Sequence, residues 1–461
     1  MAELIITVSG LRGIVGESLT PEVAKRYACA LASTLPDGPI VITQDGRESG
    51  PMLAAAIGEG LTAMGRRVID AGVAATPTTG VLIRQYSAAG GIQISASHNP
   101  APYNGMKLFS SAGSVLTEAA GRNVLNSFHS TTPFLDAPGE TVGTVEQIGE
   151  TVACDDPLGE HLALVLACVD VPKIQNRKLN VLLDANHGAG GALGRQLLEA
   201  LGCQVAVLGE VPNGRFAHPP EPTAENLASV LSQVAAAGAD VGFCQDPDAD
   251  RLALIDENGR YLGEEYTLAL CVDHVLKTRK GAIVTNCSSS RMSQDLAEQY
   301  GVPFVRSKVG EANVVEQMQA HDAVLGGEGN GGVIDPRVGF VRDSFIGMAL
   351  LLEALAETDK PLSALADAMP RYAMVKTKIA LPPERVDAGL TALQTHFADA
   401  TPDRLDGLRL DWPDRWLLVR ASNTEPIVRA IAEAKTPKIA QALCDQAAQI
   451  LASNAHGAPT I

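Results

Sequence analysis

Short apolar runs alternate with amphipathic stretches along most of this chain, and the alternation breaks and restarts. Residues 39–43, 67–70 and 91–95 read as strands, and 52–64 as a helix. A polar, Gly/Thr-rich stretch around 139–151 interrupts the rhythm. It resumes with strands at 179–183, 204–208 and 240–244 and helices at 194–201 and 225–237. A third unit opens with a hairpin over 252–262, turning at Glu257-Asn258-Gly259. A strand at 282–285 and helices at 266–276, 312–318 and 344–356 complete it. Strands alternating with helices predict an α/β fold with mostly parallel sheets covered on both faces. Past Pro370 the character changes. Strands at 375–381 and 416–420 and a closing helix at 437–451 predict a smaller α+β unit.

The 461 residues are 46% hydrophobic and 19% charged, so the chain can bury several cores. The formal net charge of -17 argues against nucleic acid as a partner. It leaves room for a phosphorylated ligand, which needs only a few local Arg and Lys. The eight Cys contain no C-x-x-C pair, and Cys29, Cys168, Cys203, Cys244 and Cys271 lie in apolar runs. A reducing, cytoplasmic setting is expected. The first residues lack the features of a signal peptide, and no apolar run reaches the roughly 18 residues of a membrane span.

Four polar segments interrupt this scaffold. The first is Ile94-Ser95-Ala96-Ser97-His98-Asn99-Pro100, followed by Asn104-Gly105-Met106-Lys107. Pro100 and Asn104-Gly105 predict a turn there, placing a hydroxyl, an imidazole and an ammonium on a loop at a strand's end. A Ser in that place can carry a phosphoryl group; a plain polar turn is the alternative. The second is Asp246-Pro247-Asp248-Ala249-Asp250-Arg251. In an extended segment carboxylates at i, i+2 and i+4 face one side and can converge on a hard cation, Mg²⁺ or Ca²⁺. An EF-hand is the rival, but Arg251 occupies the position that needs Gly, and the flanks are strand-like. The third is Gly326-Gly327-Glu328-Gly329-Asn330-Gly331-Gly332, whose backbone can approach a ligand closely while Glu328 and Asn330 bond sugar hydroxyls. The fourth is Arg420-Ala421-Ser422-Asn423-Thr424-Glu425-Pro426 with Arg429 beyond, a set of phosphate donors or else a capped loop. Asp45-Gly46-Arg47, after a strand, reads as a structural ion pair.

In this order, the four segments resemble the α-D-phosphohexomutase superfamily over essentially the whole chain, from Gly10-Leu11-Arg12-Gly13 onward. The resemblance implies four domains around a central cleft, three similar α/β domains and a smaller α+β domain. Their expected limits are 1–150, 151–252, 253–370 and 371–461. It implies that Ser97 is the phosphoserine and that Asp246, Asp248 and Asp250 hold Mg²⁺, which also touches the phosphate on Ser97. Arg12, His98, Lys107 and Arg251 would surround the reacting oxygen, with Lys107 a candidate acid/base. Lys308, Glu328 and Asn330 would read the sugar. Arg420, Ser422, Asn423, Thr424 and Arg429 would bind the phosphate that is not transferred. The implied reaction interconverts hexose 6-phosphate and hexose 1-phosphate through a 1,6-bisphosphate, which also serves as activator. A hinge near 369–374 would let the intermediate turn over. The expected assembly is a monomer or homodimer.

Many relatives end the sugar loop in Ser-Gly-His, where this chain has Asn330-Gly331-Gly332. Pro247 and Asn423 stand where Gly is common. The sugar loop and Pro220-Glu221-Pro222 look closer to archaeal-type phosphoglucosamine mutases and phosphomannomutase/phosphoglucomutases. Phosphoglucosamine mutase is the preferred reading, with phosphomannomutase/phosphoglucomutase as the alternative. A catalytically silent sugar-phosphate binder would not need Ser97, the three Asp and Arg251 together. A Ser hydrolase is disfavoured because His98 adjoins Ser97 directly and no Gly-x-Ser-x-Gly surrounds it.

Overall fold

The computed structural model describes residues 4–8, 10–130, 148–421 and 427–455. Its strands form four sheets. In the first, Gly90–Ile94, Ile40–Gln44, Val68–Val73 and Thr151–Ala153 run parallel. Tyr103–Ser110, Gly10–Ile14 and Ile5–Thr7 extend it antiparallel. In the second, Gln204–Leu208, Asn180–Asp184 and Val241–Gln245 are parallel, and the hairpin Leu252–Asp256 with Tyr261–Gly263 continues it antiparallel. In the third, Phe304–Ser307, Ile283–Asn286 and Leu325–Glu328 are parallel, with Gly332–Ile334 antiparallel at the edge.

The first three sheets are therefore mixed, not mostly parallel as the alternation suggested. The reason is local. Each of the first three polar segments joins the end of a parallel strand to its immediate neighbour, and so short a connection can only reverse direction. The hairpin at 252–263 accordingly belongs to the second sheet and does not open the third. The fourth sheet is antiparallel throughout, in the order Ala373–Ala380, Ile427–Ala434, Arg415–Ala421, Leu408–Trp412, Thr401–Asp403.

Helices cover these sheets with their apolar faces. Pro21–Ala32 starts at Thr20, whose side chain accepts from Val23 N–H, with Pro21 in the first turn. It packs Tyr27 and Leu31 with Leu53 and Ile57 of Gly50–Ala63 beneath the first sheet. Apart from Glu353 and Glu357 toward its end, Ser344–Thr358 is apolar all round because it is buried between the second and third sheets, where Phe345, Met348 and Leu352 join Leu183 and Phe243 in one core. Asp343 caps this helix, accepting from Phe345 N–H at 2.8 Å. One face of the fourth sheet packs on the helix Pro437–Ala455, and the other sets Trp416, Leu418 and Ile431 against Cys287 and Val309 of the third unit. Among the described residues no helix is long and apolar enough to cross a membrane.

Candidate active site

Ser97 lies just past the strand Gly90–Ile94, with φ at 50°, in the left-handed region. The Asn104-Gly105 pair does not form the turn read from the sequence. It lies inside the strand Tyr103–Ser110, and the turn is made before it. Gly105 is needed there because a β-carbon would press on the carbonyls of Leu11 and Ser95. Lys107 therefore projects from a strand, not from a loop. The Ser97 N–H donates to Ser95 Oγ at 2.8 Å, and Ser95 Oγ donates to Asp45 Oδ2 at 2.7 Å.

The Ser97 hydroxyl donates to Asp246 Oδ2 at 3.0 Å and lies 3.3 Å from His98 Nδ1. Burial, with Arg251 and Arg12 nearby, pushes the His98 imidazole down to about 2, so it is neutral. Arg12, on the strand Gly10–Ile14, donates to Asn99 Oδ1 at 3.3 Å. Lys107 Nζ bonds Asp250 Oδ2 at 2.6 Å and also bonds Asp248.

The three aspartates converge, but not by extended alternation. Residues 246–250 form a turn with Ala249 at φ 53°, closed by Ala249 N–H on the Asp246 carbonyl at 2.9 Å. All three carboxylates are buried, and one oxygen from each lies within 4.8 Å of the others. The turn is clasped from three sides. Thr76 N–H donates to the Asp248 carbonyl at 2.9 Å and Ala189 N–H to the Pro247 carbonyl at 2.7 Å. Ser344 Oγ donates to the Ala249 carbonyl at 2.7 Å, and the Thr76 hydroxyl bonds the Asp248 carboxylate. Arg251 Nε stands 3.7 Å from Asp246 and 3.8 Å from Asp250.

These charges set the electrostatics. Burial and the neighbouring Asp250 and Asp248 hold the Asp246 carboxyl well above the usual range. Burial opposes ionisation of Asp250 too, but Arg342, Lys107 and Arg251 outweigh it and hold that carboxyl low. Asp248 Oδ1 and Asp250 Oδ1 are buried without a hydrogen-bond partner. An all-carboxylate set with two orphaned oxygens fits a hard divalent cation.

Arg342 joins this cluster to the glycine-rich segment. It donates to Asp250 Oδ2 at 2.7 Å, Glu328 Oε2 at 2.9 Å and Glu311 Oε2 at 3.0 Å. Glu328 also accepts from Asn286 Nδ2 at 2.7 Å and Gly310 N–H at 3.2 Å. Asn330 lies beside it, Nδ2 to Glu328 Oε2 at 3.4 Å. Gly332 has no room for a side chain, because the Arg342 methylenes fill the space a β-carbon would take.

The remaining expected residues that are described, Lys308, Arg420 and Arg429, gather where the third unit meets the fourth sheet. Arg420 donates to Asp406 Oδ2 at 3.0 Å, and Val309 N–H donates to the same oxygen at 3.0 Å. This draws the segment after the exposed Lys308 toward the fourth sheet. Arg420, Arg429 and Lys378 are paired in register across three neighbouring strands and so face one way. Ser422, Asn423 and Thr424 lie outside the described residues.

Sequence reasoning missed Arg342, Glu311, Thr76 and Asn286. The one trace nearby is Asp343, an Asp before an apolar helical run, which marks the helix start beside Arg342 but not Arg342 itself. Glu264 and Glu265, at the start of Glu264–Thr278, were missed as well. Burial pushes them up to about 7 and about 8.

Comparison with known proteins identifies this arrangement. Phosphoglucomutase/phosphomannomutase family models match in chain order: alpha/beta/alpha domain I over 4–133, domain II over 159–259, domain III over 264–372 and the C-terminal domain over 379–450. The chain is 36% identical over 445 residues to a phosphoglucomutase/phosphomannomutase of Thermococcus kodakarensis, covering 94% of this chain and 95% of that one. It is 34% identical over 449 residues to a probable phosphoglucosamine mutase of the same organism, covering 96% and 97%. A crystal structure of a phosphoglucomutase/phosphomannomutase family protein from Burkholderia thailandensis superposes with a TM-score of 0.82 at 27% identity, covering 99% of both chains. With four domains matched in order and such identity along nearly its whole length, the chain belongs to the α-D-phosphohexomutase superfamily and is an enzyme of the phosphohexomutase family.

Proposed function

We propose that this enzyme interconverts glucosamine 6-phosphate and glucosamine 1-phosphate through a phosphoserine at Ser97. The observation that carries the phosphoserine part of this reading is the junction of Ser97 Oγ with the buried Asp246–Asp250 turn at 3.0 Å, and the choice of glucosamine rests on the relative at 34% identity. A phosphoryl group on that oxygen would lie among cationic side chains and beside a cation-binding carboxylate set. Phosphoryl transfer needs that positioning and charge neutralisation more than covalent chemistry.

In this reading the Ser97 Oγ–P bond breaks as the free hydroxyl of the bound hexose phosphate bonds to phosphorus. Lys107, an ammonium held by Asp248 and Asp250, gives a proton to the departing Ser97 Oγ as it takes up the proton of the sugar hydroxyl. The 1,6-bisphosphate then turns over, the Ser97 hydroxyl attacks its other phosphoryl group, and Lys107 protonates the departing sugar oxygen as it takes up the Ser97 proton. Arg12 and Arg251 balance charge on the moving group, and neutral His98 donates or accepts without adding charge. Glu328 and Asn330 read sugar hydroxyls, with Lys308 near them. Arg420, Arg429 and the segment Ser422-Asn423-Thr424 hold the stationary phosphate. Asp246, Asp248 and Asp250 would hold Mg²⁺, which supplies Lewis-acid neutralisation of phosphoryl oxygens when bound. A hexose 1,6-bisphosphate would act as activator by restoring phosphate to Ser97.

The relative at 36% identity supports a second substrate reading, mannose or glucose phosphate. The test is kcat/KM for glucosamine, mannose and glucose phosphates with Mg²⁺ and a 1,6-bisphosphate present. A preference for glucosamine phosphate upholds the first reading, and a preference for mannose or glucose phosphate replaces it. Turnover of none of them defeats both.

A further inference from the structure

Arg47 is 2% exposed, lies outside the carboxylate cluster and would touch no substrate in the reading above. Its guanidinium has five N–H donors, and all five are used. Nε donates to Asp45 Oδ2 at 2.9 Å. Nη1 donates to the carbonyls of Pro100 and Tyr103, both at 2.9 Å. Nη2 donates to the carbonyls of Ser97 and Asn99, both at 2.7 Å. One side chain therefore gathers four carbonyls of the turn that carries Ser97.

The anchor is itself fixed. Asp45 is fully buried and accepts from Arg47 N–H at 3.1 Å as well as from Ser95 Oγ at 2.7 Å. Ser95 Oγ in turn accepts from Ser97 N–H at 2.8 Å. Both the amide and the carbonyl of Ser97 thus lead back to the Asp45–Arg47 pair. The second unit closes over it: Phe216 lies 5.0 Å from the guanidinium, and a β-carbon on Gly214 would collide with the Arg47 backbone.

Such a clamp is needed because Ser97 has a positive φ, 50°, without being glycine. That conformation is uncommon and costs free energy unless the surroundings enforce it. Left free, the turn would relax toward ordinary backbone geometry and carry Ser97 Oγ away from Asp246.

We propose that Arg47 is the positioning residue of this site, holding the Ser97 backbone in the conformation that aims its oxygen at the Asp246–Asp250 turn. The catalytic part of this inference rests on the reading of Ser97 as the phosphorylated group. A Lys at 47 could keep the ion pair with Asp45, but its three donors at one point cannot reach four carbonyls.

The experiment compares the wild type with Arg47→Lys and Arg47→Met. It reads hexose phosphate turnover, melting temperature and amide hydrogen exchange over residues 95–103. For Arg47→Lys the expected result is a kcat about a hundredfold lower, KM within about twofold, and exchange at least about tenfold faster in that segment alone. Arg47→Met should show the same local loss more strongly if it folds. Wild-type kcat and unchanged exchange in Arg47→Lys would overturn the proposal. So would a lower melting temperature with kcat per folded molecule unchanged, since that is a purely structural role. Exchange is read without substrate, so it separates the two claims. If the wild type turns over no hexose phosphate while the local loss persists, the mutase reading falls and the clamp on Ser97 stands.

Discussion

The Ser97 hydroxyl donates to Asp246 Oδ2 at 3.0 Å, joining two units whose contributing residues are 149 positions apart in sequence. The contact suits a hydroxyl and would not suit a phosphate, because a phosphoryl group on Ser97 brings two or nearly two negative charges against the same carboxylate cluster. With Ser97 as the phosphorylated group, phosphorylation and cation binding would therefore be coupled.

The coupling can be measured by calorimetry. Mg²⁺ should bind the form phosphorylated on Ser97 at least about tenfold more tightly than the dephosphorylated form, a difference of about 1.4 kcal/mol. Equal affinities would separate Ser97 from the cation site.

Ser97→Ala should lose at least about a thousandfold in turnover and take up no phosphate from a hexose 1,6-bisphosphate, as read by intact mass. Its melting temperature should stay near that of the wild type, since only one hydroxyl is removed. Substantial residual turnover would rule out the phosphoserine route.

Arg342→Met should destabilise the protein by about 3–5 kcal/mol in urea, the cost of leaving buried carboxylates without their partner. Asp250, Glu328 and Glu311 all lose an ion pair at once. A midpoint close to that of the wild type would mean the three pairs contribute little net stability.

His218 gives a pH dependence. Its Nε2 lies 2.7 Å from Asp184 Oδ2 and its Nδ1 2.9 Å from the Pro219 carbonyl. Burial alone would lower its pKa, but these two acceptors outweigh burial and raise it. The folded state then holds this proton more tightly than the unfolded state. The stability it contributes is fully present below about pH 6.5, the ordinary histidine value, and is lost as pH rises through the raised folded value. In urea denaturation across that range, His218→Gln should show a flatter fall than the wild type; parallel curves would exclude this contribution.

What was legible in the sequence was contiguous. Ser97, His98, the three aspartates and Glu328 announce themselves because each group lies within one short loop between strand-like runs. The hub that joins them was not legible. Arg342 reaches Asp250 and Glu328 only after the second and third sheets pack, and an isolated Arg before a helix cap carries no such signal. Asn104-Gly105 misled for a related reason: its turn propensity yields to pairing with Gly10–Ile14 on one side and to the Ser95 N–H, which donates to the Gly105 carbonyl, on the other. The parallel sheets were overstated because periodicity reports strands and not their direction. The aspartates were rightly seen to converge, but through the left-handed Ala249 and not through pleating.

The clasp around the Asp246–Asp250 turn has a temporal consequence. Its backbone is held by Thr76, Ala189 and Ser344, which reach the ribosome's exit far apart in time. All the carboxylates have been made by residue 250, yet their framework is complete only after residue 344. A nascent chain carries the acids for almost a hundred residues before it has the cage, so a cation held by all three carboxylates would be bound only once the first three units have docked.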